Sequence, residues 1–219
     1  MSKSKFIIIL LLFFSFISIA QEKYSLQINA GLIHPDNQSS GPSSTIRINY
    51  NYNENYKFYL STGYSNWDKN HVNYNYLDFI KPGDFPLYQS EIRNSFDEFD
   101  HHLIPLEVGL DFLGLKNKFF VGFLEAELGV NFLSYKSKEL QQVTYPDGDI
   151  DYTNLNSPVE NKNDVFFSVA LGIGAMRQFG DYGNISLSYR LTYAHDKSKN
   201  DAFLHHYFST FYLGYEFSI

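Results

Sequence analysis

From Tyr24 onward, apolar and polar residues alternate. Tyr24, Leu26, Ile28, Ala30 and Leu32 fall on one side of an extended chain and Ser25, Gln27, Asn29 and Gly31 on the other, which is the period of a β-strand and not of a helix. The same alternation returns seven times, over residues 46–52, 58–64, 104–112, 120–132, 167–175, 185–193 and 211–217. Asn53-Glu54-Asn55, Gly114-Leu115-Lys116-Asn117 and Gly180-Asp181-Tyr182-Gly183 read as tight turns joining the second strand to the third, the fourth to the fifth and the sixth to the seventh. The other connections are longer, and two of them, about residues 66–98 and 134–164, far exceed what a hairpin requires. Short and long connections alternate, so they collect at opposite ends. An even number of strands of roughly ten residues with this asymmetry predicts an all-β, eight-stranded antiparallel up-and-down transmembrane β-barrel. Closure would leave no strand edge unpaired.

Which face points outward decides the solvent. The non-apolar face carries Arg47, Lys57, Glu107, Asp111, Glu125, Glu127, Arg190 and Glu216. A soluble, lipocalin-like barrel carrying a small apolar ligand would turn these to water, whereas a membrane barrel encloses them. Tyr and Phe recur near strand ends, as an interfacial girdle requires, and the non-apolar face is rich in Gly, Ser and Thr, which suits a narrow interior. Lipid outside is therefore the expectation. Five acids then meet three bases in a confined lumen, where an unpaired ion costs several kcal/mol. The economical arrangement pairs Arg47 and Arg190 with Glu107, Glu125 and Glu127, and Lys57 with Glu216, closing the lumen as a plug.

Residues 1–20 open with Lys3 and Lys5, run apolar from Phe6 to Ala20 apart from two serines, and end Ser18-Ile19-Ala20. That is the form of a secretory signal peptide, too short to span a bilayer, followed by one domain over 21–219. Its removal takes two bases and no acid, leaving 15 bases against 24 acids, a formal charge of −9. The acid surplus disfavours nucleic acid as a partner. With no Cys there is no disulfide, thiolate metal site, Cys nucleophile or acylated anchor. A mean hydropathy of −0.28 argues against membrane helices alone, because alternating strands average out.

Five histidines collect by topology at the long-loop rim: His101 and His102 before the fourth strand, His195 after the seventh, His205 and His206 before the eighth. With Asp100, Asp196 and Asp201 they are candidates for a zinc or copper site, or, with Ser209, for a hydrolytic triad acting on lipopolysaccharide. Polar rim residues without such a role are the preferred reading, so neither enzyme activity nor a cofactor is expected. Asp147-Gly148-Asp149-Ile150-Asp151 has the acid spacing of a calcium loop, but Tyr152 stands where Gly belongs and Pro158 where Glu belongs. Gly172-Ile173-Gly174 lies within a strand and reads as close packing, not a nucleotide loop. The two large loops hold Trp67 and several Tyr and Asn, the place for contact with an extracellular ligand.

His102-Leu103-Ile104-Pro105-Leu106 and Leu213-Gly214-Tyr215-Glu216-Phe217 resemble segments of the PorT-like outer-membrane β-barrel family of Gram-negative bacteria. Gly in the fifth and sixth strands and Tyr189-Arg190 in the seventh follow the same order, over nearly the whole mature chain. The resemblance implies an outer-membrane location and Tyr215 and Phe217 as the signal read by the barrel-insertion machinery; lipid and lipopolysaccharide are the expected surroundings and a monomer the expected state. Here Ser218 and Ile219 follow that aromatic.

Overall fold

The computed structural model describes residues 23–35, 39–68, 73–78, 91–144, 150–153, 158–179, 182–195 and 207–219. The signal-peptide segment, the Asp147–Asp149 part of the acidic turn, and His205 and His206 lie outside the described residues. Ten strands run in chain order: β1 Tyr24–Pro35, β2 Gly41–Asn51, β3 Tyr56–Trp67, β4 Asn73–Asp78, β5 Glu91–Lys116, β6 Val121–Thr144, β7 Ile150–Thr153, β8 Glu160–Gln178, β9 Asn184–His195 and β10 Tyr207–Ser218. Eight of them form the barrel, in the order β5-β3-β2-β1-β10-β9-β8-β6, closed by pairing of β5 with β6. All pairings are antiparallel.

Apart from the register irregularities in β5, side chains alternate along the barrel strands, so each carries one face outward and one inward. The outward face is a belt of exposed apolar side chains, including Ile28, Ile46, Leu60, Leu106, Leu128, Leu171, Leu187 and Leu213. Aromatic residues border it, with Tyr24 against Tyr50 and Tyr56 against Phe112 at the turn end, and Tyr193 against Tyr207 at the loop end. The inward face holds Gln27, Asn29, Asn49, Ser61 and the ionic residues, all buried. This is the inverse of a water-soluble barrel, which hides its apolar face, so the soluble carrier alternative does not describe this fold.

The turn after β2 closes as expected, with Asn53 Oδ1 accepting from the backbone N–H of Asn55 at 2.8 Å and Tyr56 at 3.0 Å. The next turn falls later than the sequence suggested. β5 continues through Gly114 to Lys116, with a register irregularity between Leu113 and Lys116, and the chain reverses at Asn117–Phe120. Asn117 decides this, because its Oδ1 accepts from the N–H of Phe119 and Phe120 and mimics a backbone turn.

Among the described residues, parts of the two long-loop segments are strand. β5 and β6 stay paired from the turn to Glu91 and Thr144, well past the ends of β3 and β8. β4 adds to β5 and β7 adds to β6. A four-stranded sheet, β4-β5-β6-β7, thus stands beyond the barrel mouth.

Candidate functional site: the closed lumen and its rim

Register brings the ionic residues together. One row across the strands runs Glu216, Gln27, Arg47, Ser61, Glu107. A second runs Lys57, Asp111, Glu125, Gly172, Arg190. All eight ionic residues point into the barrel, and none is more than 5% exposed.

Arg190 is the hub. Its Nη1 donates to Glu127 Oε1 at 2.7 Å and Glu107 Oε2 at 3.3 Å, and its Nη2 donates to Glu125 Oε1 at 2.9 Å. Arg47 Nη2 bonds the same Glu125 oxygen and lies 3.8 Å from Glu127. The Arg47 guanidinium also stacks 4.2 Å from the centre of the Tyr59 ring, and the Tyr59 hydroxyl donates to Glu127 at 2.9 Å. Lys57 passes over its register partner Asp111 and donates to both oxygens of Glu216 at 2.7 and 2.8 Å. Ser25, Asn49 and Asn184 also donate to Glu216. Geometry of this quality, with charged hydrogen bonds on nearly every group, is what a buried ion cluster needs to be tolerated.

Small residues make the space. A Cβ on Gly109 would enter the Tyr59 ring, and one on Gly172 would come 2.8 Å from Glu125 Oε2. Gly109→Ala therefore must displace a ring held by Arg47 and Glu127. The expected result is a loss of about 1–3 kcal/mol, read from urea unfolding in detergent micelles.

Above the ions the lumen changes character. Ile33, Trp67, Leu103, Leu133, Tyr135, Phe166, Ala194 and Phe208 form a buried apolar cluster inside the barrel at its loop end. The sequence reading, a lumen closed by charge alone, is incomplete: the plug has an ionic layer and an apolar cap. The signal lies in the residue order. At Leu32-Ile33, Leu103-Ile104, Phe132-Leu133 and Phe166-Phe167 the alternation breaks into adjacent apolar pairs. Both faces of the strand turn apolar at the same end of the barrel.

His101 and His102 do not converge. β5 carries a register irregularity between Phe99 and His102, with Asp100 at φ 57°, a left-handed conformation that short polar residues tolerate best. His101 points inward and is fully buried, stacked between Trp67 (ring centres 5.0 Å apart) and Tyr135 (5.5 Å). His102 points outward. Its Nδ1 bonds the Tyr64 hydroxyl, and its Nε2 lies 3.1 Å from Asp100, whose other oxygen takes Lys136 Nζ at 2.6 Å. Adjacent histidines on opposite sides of the barrel wall cannot share an ion. No group of three potential metal ligands occurs among the described residues. Ser209 is on β10, separated from His102 on β5 by the whole of β1, β2 and β3, so those two cannot form a catalytic pair. His195 ends β9, opposite Phe167.

His101 lies above the apolar belt, level with outward-facing Asp100 and Lys136. Burial pushes its imidazole down from the usual 6.5 to about 4, and the Lys136 ammonium bonded to Asp100 holds that carboxyl below its usual range. A base whose pKa falls on folding stabilises the fold above its unfolded value and loses that contribution as pH drops. The unfolding midpoint of the wild type should therefore fall relative to that of His101→Phe as pH drops from 6.5 to about 4. The variant keeps a ring in the stack without a titrating nitrogen, so the difference between the two profiles isolates the imidazole.

No protein-family model and no curated protein matches the sequence. Solved structures do match. Neisserial surface protein A aligns at a TM-score of 0.55 with 12% identity, covering 90% of this chain and 97% of that one. A major outer membrane protein from Thermus thermophilus follows at a TM-score of 0.49, 12% identity and coverage of 89% and 99%. The outer membrane enzyme PagL aligns at 0.38, 16% identity and coverage of 89% and 99%. The chain has the fold of the small outer-membrane β-barrels. At these identities the likeness concerns the fold alone.

Proposed function

We propose that this chain is a PorT-like outer-membrane barrel of Gram-negative bacteria that is exported by residues 1–20, has periplasmic termini and is a monomer without cofactor or enzymatic activity. Its work lies at the loop end, where the sheet β4-β5-β6-β7 offers a surface to an extracellular ligand. The observation that carries the membrane reading is the sorting of side chains: a continuous apolar belt outside, and paired ions inside a sealed cylinder. A belt of this extent has no stable home in water. Lipid and lipopolysaccharide would meet the belt, and Tyr215 and Phe217 on β10 would serve the barrel-insertion machinery.

The segments forming the loop-end sheet and its surroundings, residues 66–98 and 134–164, carry twelve acids and six bases. A partner there would be cationic or bridged by divalent cations, since like charge raises the cost of approach.

Two measurements test the reading. Folded protein in detergent should run at a different gel mobility before and after boiling, because a closed hydrogen-bonded barrel resists unfolding at room temperature. In planar bilayers it should pass no large, steady, ohmic current. A conducting wild-type barrel would overturn the closed lumen, and a mature chain freely dissolved in the periplasm would overturn the membrane assignment.

A further inference from the structure

A small cavity separates the two layers of the plug. Ile33, Leu103 and Phe208 of the apolar cap line it from above, and Asn131, Arg190 and Thr210 bring polar groups to it. These three polar residues are 0%, 3% and 4% exposed. Each also keeps one polar atom without a protein partner: Asn131 Oδ1, Arg190 Nε and Thr210 Oγ1. Arg190 and Thr210 face each other directly in the β9–β10 register, which sets their Cβ atoms roughly 5 Å apart.

Partnerless polar atoms are rare in folded interiors, and three around one cavity call for a common ligand. Its chemistry follows from what each residue has left to give. Arg190 uses Nη1 and Nη2 on Glu107, Glu125 and Glu127, which leaves the Nε–H as a donor. Asn131 uses its amide on Ser168 at 2.7 Å, which leaves a carbonyl acceptor. Thr210 can donate or accept. The ligand must therefore accept one hydrogen bond and donate at least one. An anion would sit beside three carboxylates with few donors. A metal cation would face a guanidinium with two neutral oxygens to hold it. A water molecule matches in charge, donor count and size.

We propose that Asn131, Arg190 and Thr210 bind one structural water, held beneath the apolar cap. The site rests on the closed-lumen reading and extends it. The water completes the hydrogen bonding of the ionic hub, and the cap above it denies that water a path to the loop end.

The test is a high-resolution crystal structure of the full folded chain in detergent, with its Thr210→Val and Thr210→Ser variants, alongside water-to-protein NOEs to the Asn131 amide and the Thr210 methyl. The expected result is one oxygen within hydrogen-bonding distance of all three atoms in the wild type, kept in Thr210→Ser and lost in Thr210→Val together with its NOEs. The site is overturned if the wild type shows no oxygen there, if the three side chains bond one another directly, or if the peak persists unchanged in Thr210→Val. A file of waters running from the cavity to the loop end would instead overturn the closed lumen. A non-conducting barrel with no oxygen at the site would sink this proposal alone.

Discussion

Arg190→Met should lower the unfolding free energy of the barrel by about 3–5 kcal/mol, the cost of removing one partner from a buried ionic cluster. Arg190 holds Glu107, Glu125 and Glu127 at once. Without it, five lumen carboxyls face only Arg47 and Lys57, and Lys57 is committed to Glu216. The size of the effect comes less from lost attraction than from carboxylates left desolvated without a counter-charge. Arg190→Lys should recover part of the loss, since an ammonium restores the charge but cannot fork across three carboxylates. Adding Glu127→Gln to Arg190→Met should also recover part, because it removes one of the stranded charges. Urea titration in micelles, followed by tryptophan fluorescence and gel mobility, measures all three. A loss below about 1 kcal/mol for Arg190→Met would mean that water reaches the cluster and the lumen is not sealed.

Leu128→Arg should cost about 2–4 kcal/mol if the outward face meets lipid, the penalty for a cation at the middle of a barrel's apolar band. Leu128 is 58% exposed and lies midway along the outward row of β6 that runs from Leu124 to Phe132. On a protein bathed in water the same exchange at so exposed a site would fall within about 0.5 kcal/mol of neutral. The substitution leaves the interior untouched, so the measured value reports the solvent outside the barrel. Folding into phospholipid vesicles, with the unfolding midpoint compared between wild type and variant, gives the number. A near-zero result would remove the bilayer from the account of this fold.

The parts of the molecule that were legible from residue order share one cause. A strand's side chains alternate strictly, so a half-buried strand writes its orientation into the chain. That is why Ile46, Ile48, Leu106, Val108, Leu187 and Leu191 could be assigned to the outer face, and why Arg47, Glu107 and Arg190 could be placed opposite them. Alternation says nothing where both faces have the same polarity, so it does not mark Ile33, Leu103, Leu133, Phe166 and Phe208 as lining the lumen. Nor does it mark the end of a strand. Polar stretches such as Glu91–Phe99 and Ser137–Thr144 read as loop by pattern, yet they stay paired as the outer part of the β5–β6 hairpin, beyond the register irregularity between Phe99 and His102. Gly114, a common turn residue, puts the expected turn too early, and the side-chain capping by Asn117 sets the real one.

Period, charge and turn chemistry along the chain determined the barrel, its eight staves, which side of each stave is oily, and that the ionic side chains would share the interior. These are local properties, carried by neighbours two residues apart. Charge and depth along the chain already match Lys57 with Glu216 and the two arginines with Glu107, Glu125 and Glu127; tertiary structure alone decided how each pair meets, because that depends on the stagger between strands: Lys57 is level with Asp111 and reaches across the lumen to Glu216, and Arg190 holds three carboxylates at once. It also decided that His101 is enclosed by Trp67 and Tyr135 while His102 faces outward, and that an apolar cap sits over the ions. Each of these depends on residues far apart in sequence meeting at one height in a closed cylinder, and only the closure of β5 onto β6 sets that height.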